Sequence, residues 1–189
     1  AILDFDVHHG NGTEDIFKGD RRVLICSSFQ YPLYPGNNPG SVPGHIVNCP
    51  LPPGSGSEAF RKVVTEHWLP ALDAFAPQLV FISAGFDAHA ADDMAELRLT
   101  TADYAWVTDQ ACGVSDRHAR HRVVSTLEGG YDLPALATST GSSGSVVIMP
   151  IAAAVRPMAV HSPRLSGIRS ASQPKTSLLD VPMSEKVNQ

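Results

Sequence analysis

Short apolar runs bounded by turn residues recur along the chain at Ala1–Phe5, Val23–Phe29, Ile46–Leu51, Leu79–Ala84 and Val123–Leu127, several of them rich in Val and Ile. Runs of this length and composition predict buried strands. Between the later runs the apolar period lengthens to that of a helix. Ser57 to Phe75 places Phe60, Val63, Val64, His67, Trp68 and Leu72 on one face, and Thr101 to Ser115 does the same with Tyr104, Val107 and Ala111. A shorter helix is expected from Asp132, with Pro134 in its first turn. Continuous apolar strands alternating with amphipathic helices predict an α/β fold: a mainly parallel central sheet covered by helices on both sides, three layers in all.

The pattern dissolves toward the C-terminus. Val146–Val155 is apolar enough for one more strand or helix, but Arg156 to Gln189 lacks periodicity and reads as a low-complexity or disordered tail. The expected division is therefore 1–138 as a folded part and 139–189 as a tail of no assigned function. At the other end, Ala1 to Asp6 reads as a strand already in progress without an initiating methionine, so the fold is expected to be incomplete at its N-terminus.

Composition narrows the function classes. The chain has 189 residues, 43% of them hydrophobic and 17% charged, with a formal net charge of -5. A mildly acidic, globular composition without a basic stripe argues against direct nucleic-acid binding. Cys26, Cys49 and Cys112 form no C-x-x-C pair and suggest neither a disulfide framework nor a cysteine zinc knuckle, which fits a reducing cytoplasm. No apolar run approaches the roughly 18 residues of a membrane span, and no charged-then-apolar leader is present.

Chemistry concentrates where strands end. Asp4-Phe-Asp6-Val-His8-His9-Gly10-Asn11-Gly12 alternates acidic and imidazole groups, and in an extended segment residues 4, 6 and 8 would share one face. Leu79 to Asp87 is a buried strand whose C-terminal end supplies an aspartate, and Val123 to Tyr131 ends in Leu127-Glu-Gly-Gly-Tyr131. Ligands of open α/β sheets bind at the carboxyl ends of strands, so these clusters are expected to line one crevice. Two carboxylates and an imidazole, Asp6, Asp87 and His8, match the three protein ligands of a catalytic zinc that leaves one position open. Such an ion would activate a water and polarise a carbonyl, and Tyr131 on its Gly-Gly turn could donate a hydrogen bond to the developing oxyanion.

Asp4-Phe-Asp-Val-His-His-Gly-Asn-Gly-Thr13, Ser83-Ala-Gly-Phe-Asp87-Ala-His89 and Leu127-Glu-Gly-Gly-Tyr131, in this order, resemble the zinc-dependent histone deacetylase family. The likeness is greatest to its class II and bacterial members, the deacetylase-like amidohydrolases and acetylpolyamine amidohydrolases, and runs from residue 1 to about Ala137. It implies the arginase/deacetylase fold, zinc held by Asp6, His8 and Asp87, and Tyr131 as the transition-state tyrosine. It also implies a structural potassium ion held by Asp4, by backbone carbonyls of Asp6, His8 and Ser28, and by the Ser27 hydroxyl. Tyr34, Pro35, Gly36, Phe86, Met94 and Gly130 would line a narrow tunnel for the acyl-lysine chain. The implied activity is removal of acetyl or other acyl groups from the amide nitrogen of lysine side chains or polyamines. The acidic balance of residues 1–138, 9 Lys+Arg against 17 Asp+Glu, would attract such cationic substrates.

The chain departs from the family pattern in several places. The family's general base is a histidine of a His-His pair in the half of the domain before Ala1, so this chain alone is expected to be inactive. Asn11 stands where one branch of the family has an aspartate, and Asp92-Asp93-Met94 has an aspartate where Asp-Pro is more usual, which would loosen the rim loop. An arginase-type ureohydrolase is the second enzyme reading; it needs a further aspartate two residues after His8, where Gly10 stands. A non-catalytic, truncated binding relative is the alternative from a different class. Among the other candidates, His9 and His67 read as core histidines, His89 as a rim or loop residue, Glu128 as a structural hydrogen-bonding group and Cys26 as a small buried hydrophobe. Arg117 to Arg122 reads as a solvated basic loop.

Overall fold

The computed structural model describes residues 1–37, 39–142 and 148–149. Six strands, β1 (Ile2–Asp4), β2 (Ile25–Gln30), β3 (Ile46–Leu51), β4 (Val80–Ala84), β5 (Val123–Leu127) and β6 (Ile148–Met149), form one sheet in the order β3-β2-β1-β4-β5-β6. Every neighbouring pair is parallel. The helices are α1 (Asn11–Phe17), α2 (Ser57–Val63), α3 (Leu69–Phe75), α4 (Thr101–Val114) and α5 (Leu133–Ser142). The α/β class with a parallel sheet is as the apolar periodicity predicts, and the first five strands fall on the five apolar runs.

The chain starts in the middle of the sheet. From β1 it runs outward through β2 to β3, then returns to the other side of β1 to build β4, β5 and β6. The order reverses between β1 and β4. That is the switch point at which open parallel sheets leave a crevice beyond their carboxyl ends.

Two places fall outside the helix periodicity. α2 does not continue directly into α3: Val64–Trp68 forms a π turn between them. The buried residues are Phe60, Val64, Trp68 and Leu72, one every four positions, a spacing the wider π turn keeps in line with the core. His67 is thereby rotated to the exposed side, which corrects its reading as a core residue. A second π turn, Ser115–Ala119, extends α4. The expected basic loop is thus partly helical, and Arg117 and His118 both meet Asp73 of α3, at 2.8 Å and 2.9 Å.

α1 has no apolar periodicity because none of its residues is buried. α5 continues past residue 138 to Ser142 although its second half is built from weak helix formers. The Thr138 and Thr140 hydroxyls there donate to the carbonyls of Pro134 and Leu136, one turn back. The remainder of the expected tail, 143–147 and 150–189, lies outside the described residues. Among the described residues no helix is long and apolar enough to cross a membrane.

Candidate metal centre

β1 ends at Asp4, earlier than the apolar run suggests, so the pleat is not what aligns residues 4, 6 and 8. Two successive side-chain turns do this instead. Asp4 Oδ1 accepts from the backbone N–H of Asp6 at 3.0 Å, and Asp6 Oδ1 accepts from that of His8 at 2.9 Å. The apolar residues between them, Phe5 and Val7, enter the core. Across the switch point, Asp87 follows β4, and its Oδ1 accepts from the Val7 N–H at 2.9 Å.

One ligand atom each from Asp6, His8 and Asp87 lies within 4.8 Å of the other two. His8 Nδ1 is 3.0 Å from Asp6 Oδ1 and 3.2 Å from Asp87 Oδ2. Asp87 is 1% exposed. Its buried Oδ2 makes no hydrogen bond among the described residues, leaving a carboxylate oxygen free to ligate. Burial, then the nearby charge of Asp6, pushes the Asp87 pKa up to about 6. Burial and the charge of Asp6 also hold Asp4 well above the usual carboxylate range, with Glu128 and Asp87 adding to the effect. Several acidic groups thus share a small volume, and their chemistry fits a divalent ion.

Room for these carboxylates comes from glycines. A Cβ on Gly129 would lie 2.2 Å from Asp87 Oδ2 and 2.7 Å from Asp6 Oδ2, and one on Gly85 would lie 2.2 Å from Asp6 Oδ2. The Gly129 N–H donates to Asp6 Oδ2 at 3.0 Å, tying the turn after β5 to the ligand loop after β1. Gly130 is required for a second reason, its φ of +132°, which side chains rarely adopt. The Gly-Gly pair before a tyrosine at a strand end was the sequence signal for this cradle; Gly85 carried none.

The remaining candidates fall around this centre. Asp4 of β1 is in register with Ser27 of β2. Ser27 Oγ is buried without a partner, and a Cβ on Gly10 would lie 2.4 Å from Asp4 Oδ2. Those residues, with buried Ser28 beside them, suit a second, oxygen-ligated cation. The Tyr34 ring stands edge-on to His8 with centroids 6.3 Å apart and is 75% exposed, flanked by Pro35 and the exposed Gly36. Phe86, by contrast, is 2% exposed and packs against Phe5 and Tyr104. Met94 is exposed, as is Tyr131. Partial desolvation, followed by the charges of Asp87, Asp6 and Asp92, raises the Tyr131 pKa.

Two histidines near the centre are occupied. His9 is buried against Phe29 with Nε2 2.9 Å from Glu14 Oε2, and His89 Nδ1 accepts from the Ala91 N–H while its ring stacks on Tyr104. Glu128 Oε1 accepts from the Ser83 hydroxyl at 2.9 Å. One residue to which the sequence assigned no role, the first of the Asp92-Asp93 pair, proves central. Asp92 is 6% exposed, and its Oδ2 accepts from the backbone N–H groups of Tyr131 and Asp132 at 2.6 Å and 3.1 Å. Its partners lie 39 and 40 residues away, so no local pattern could reveal it.

A parallel α/β sheet with an imidazole and two carboxylates gathered at its switch point defines a protein of the arginase/deacetylase fold. Comparison with known proteins is more specific. Residues 1–147 match the histone deacetylase domain. A probable deacetylase of Archaeoglobus fulgidus is 44% identical over 139 residues, 70% of this chain and 39% of that protein. A histone deacetylase-like amidohydrolase of Pseudomonas aeruginosa is 38% identical over 138 residues, 69% of this chain and 36% of that protein. Among solved structures, the histone deacetylase Clr3 superposes with a TM-score of 0.70 at 34% identity, covering 79% of this chain and 27% of that one. The acetylpolyamine aminohydrolase from Burkholderia pseudomallei does so with 0.64 at 30% identity, covering 75% and 42%. The chain belongs to the histone deacetylase family, and spans about two fifths of the length of these two curated relatives.

Proposed function

We propose that this chain carries the metal-binding and oxyanion-stabilising part of a zinc-dependent deacetylase active site, acting on acetyl or acyl amides of lysine side chains or polyamines. The observation that carries the reading is the convergence of Asp6, His8 and Asp87, with a buried, unbonded oxygen on Asp87 and Tyr131 on the adjoining turn.

Asp6, His8 and Asp87 would hold the zinc, and Asp4, Ser27 and Ser28 a potassium ion beneath it. Zinc in such a site lowers the pKa of a coordinated water to about 7 and polarises a carbonyl oxygen. The protein's own groups do the rest. The Gly129 N–H holds Asp6 in its ligating orientation, and the Val7 N–H does the same for Asp87. Tyr131, protonated at neutral pH as a phenol ordinarily is, donates from its hydroxyl to the oxygen on which negative charge develops. Tyr34, Pro35, Gly36, Met94 and Gly130 flank the approach, their apolar surfaces suiting the methylenes of a lysine or polyamine. Phe86 supports this wall from below. The family's proton acceptor is a His-His pair, and the one such pair here, His8-His9, is committed to the metal and the core. The base therefore comes from outside these residues, and the chain by itself is expected to be inactive.

The test is acetate release from an acetyl-lysine peptide and from an acetylpolyamine by the whole protein that bears this chain. Activity should vanish on chelation, return with zinc, and fall about 100-fold or more in Tyr131→Phe. Unchanged turnover in Asp87→Ala would exclude the reading.

A further inference from the structure

We propose that Asp92 is the positioning residue for Tyr131: its buried carboxylate fixes the backbone of the turn after β5 and so sets where the tyrosine hydroxyl stands beside the metal ligands. The inference rests on the reading of Tyr131 as the oxyanion donor.

The Tyr131 side chain is 59% exposed and makes no hydrogen bond among the described residues, so nothing at its hydroxyl end holds it in place. Its position is inherited from the backbone. That backbone follows Gly129 and Gly130, which by themselves leave the turn conformationally free. Three anchors remove the freedom. At one end the Gly129 N–H is bound to Asp6 Oδ2; at the other, Asp132 Oδ1 accepts from the Ala135 N–H and starts α5. Between them, Asp92 Oδ2 takes both the Tyr131 and the Asp132 N–H groups.

The chemistry makes the Asp92 anchor strong. Its carboxylate is buried and has no ion-pair partner among the described residues, so its charge depends on backbone N–H donors. Leaving such a group unsatisfied is costly, and hydrogen bonds to an ionised acceptor are roughly twice as strong as neutral ones. The third donor is the N–H of Met94, at 3.1 Å on Oδ1. One side chain therefore couples Met94, at the expected rim of the acyl channel, to Tyr131.

The experiment compares Asp92→Ala and Asp92→Asn with the parent in the whole protein loaded with zinc. Both should lower kcat, by roughly 10- to 100-fold for Ala and less for Asn, which keeps one acceptor oxygen. KM and zinc affinity should stay within about twofold. The double variant Asp92→Ala/Tyr131→Phe should turn over no more slowly than Tyr131→Phe alone, because Asp92 acts through the tyrosine. Independently of activity, amide exchange at Tyr131 and Asp132, together with Met94, the third donor to this carboxylate, should be slow in the parent and fast in Asp92→Ala, with regions beyond these amides unaltered. Should Asp92→Ala fail to fold, Asp92→Asn carries both measurements.

Unchanged kcat, an equal further loss in the double variant, or unchanged exchange at the two amides would overturn the proposal. If the parent releases no acetate, or Tyr131→Phe is as active as the parent, the deacetylase reading itself fails. The exchange measurement then decides alone whether Asp92 holds the turn.

Discussion

At the scale of single residues, the centre depends as much on missing atoms as on ligands. Gly129 leaves space that the Asp6 and Asp87 carboxylates occupy, and its N–H orients one of them. Gly129→Ala should therefore weaken zinc binding by about 10- to 100-fold, the usual cost of disturbing the groups that orient ligands. Isothermal titration with zinc measures this directly. Gly12→Ala is the control, since a Cβ there meets nothing within 4 Å, and its zinc affinity should match the parent's.

At the scale of elements, α4 and α2 are joined through one buried acid. Asp103 completes a capping box with Thr100 and also accepts from the Ser57 hydroxyl at 2.7 Å and from Arg61 Nε at 2.7 Å. Burial raises its pKa, but the hydrogen bonds from Ser57, Thr100 and Arg61 outweigh it and hold the carboxyl below its usual value of 3.8. A folded-state pKa below the unfolded one adds stability that is present above 3.8 and lost as pH falls through the folded value. Asp103→Ala should cost on the order of 3 kcal/mol at neutral pH in denaturant melts. The difference from the parent should begin to shrink as pH falls below 3.8 and go on shrinking through the lower folded value, where the folded parent protonates. A difference that does not depend on pH would mean that packing, not charge, is what the variant removes.

For the whole molecule, the described fold brings Asp4, Asp6 and Asp87 together beside Glu128, and burial magnifies their mutual repulsion. On the proposed reading, metal would have a structural as well as a chemical effect. Zinc at 100 times its dissociation constant should add about 2.7 kcal/mol, which for a unit of this size corresponds to roughly 5–10 °C in thermal midpoint. Chelation should reverse the shift in a calorimetric scan. Asp87→Ala should both remove the response to zinc and relieve part of the repulsion, so its melting should be insensitive to chelator.

The sequence by itself determined the elements and the chemistry of the motifs. Apolar runs and helical periods marked the first five strands and the longer helices because burial on both faces of a parallel sheet leaves a continuous hydrophobic signature. Asp6, His8, Asp87 and Tyr131 were legible because each stands in a short motif at a strand end. The tertiary structure decided what depends on distant partners. The early end of β1 shifted alignment of the ligands from the pleat to side-chain turns, and the π turn after α2 moved His67 out of the core. The switch point between β1 and β4 put residues 6 and 87 within ligand distance. Asp92 acquired its place at Tyr131 the same way, since a carboxylate and the amides it holds 39 and 40 positions later share no local pattern and meet only when the sheet is assembled.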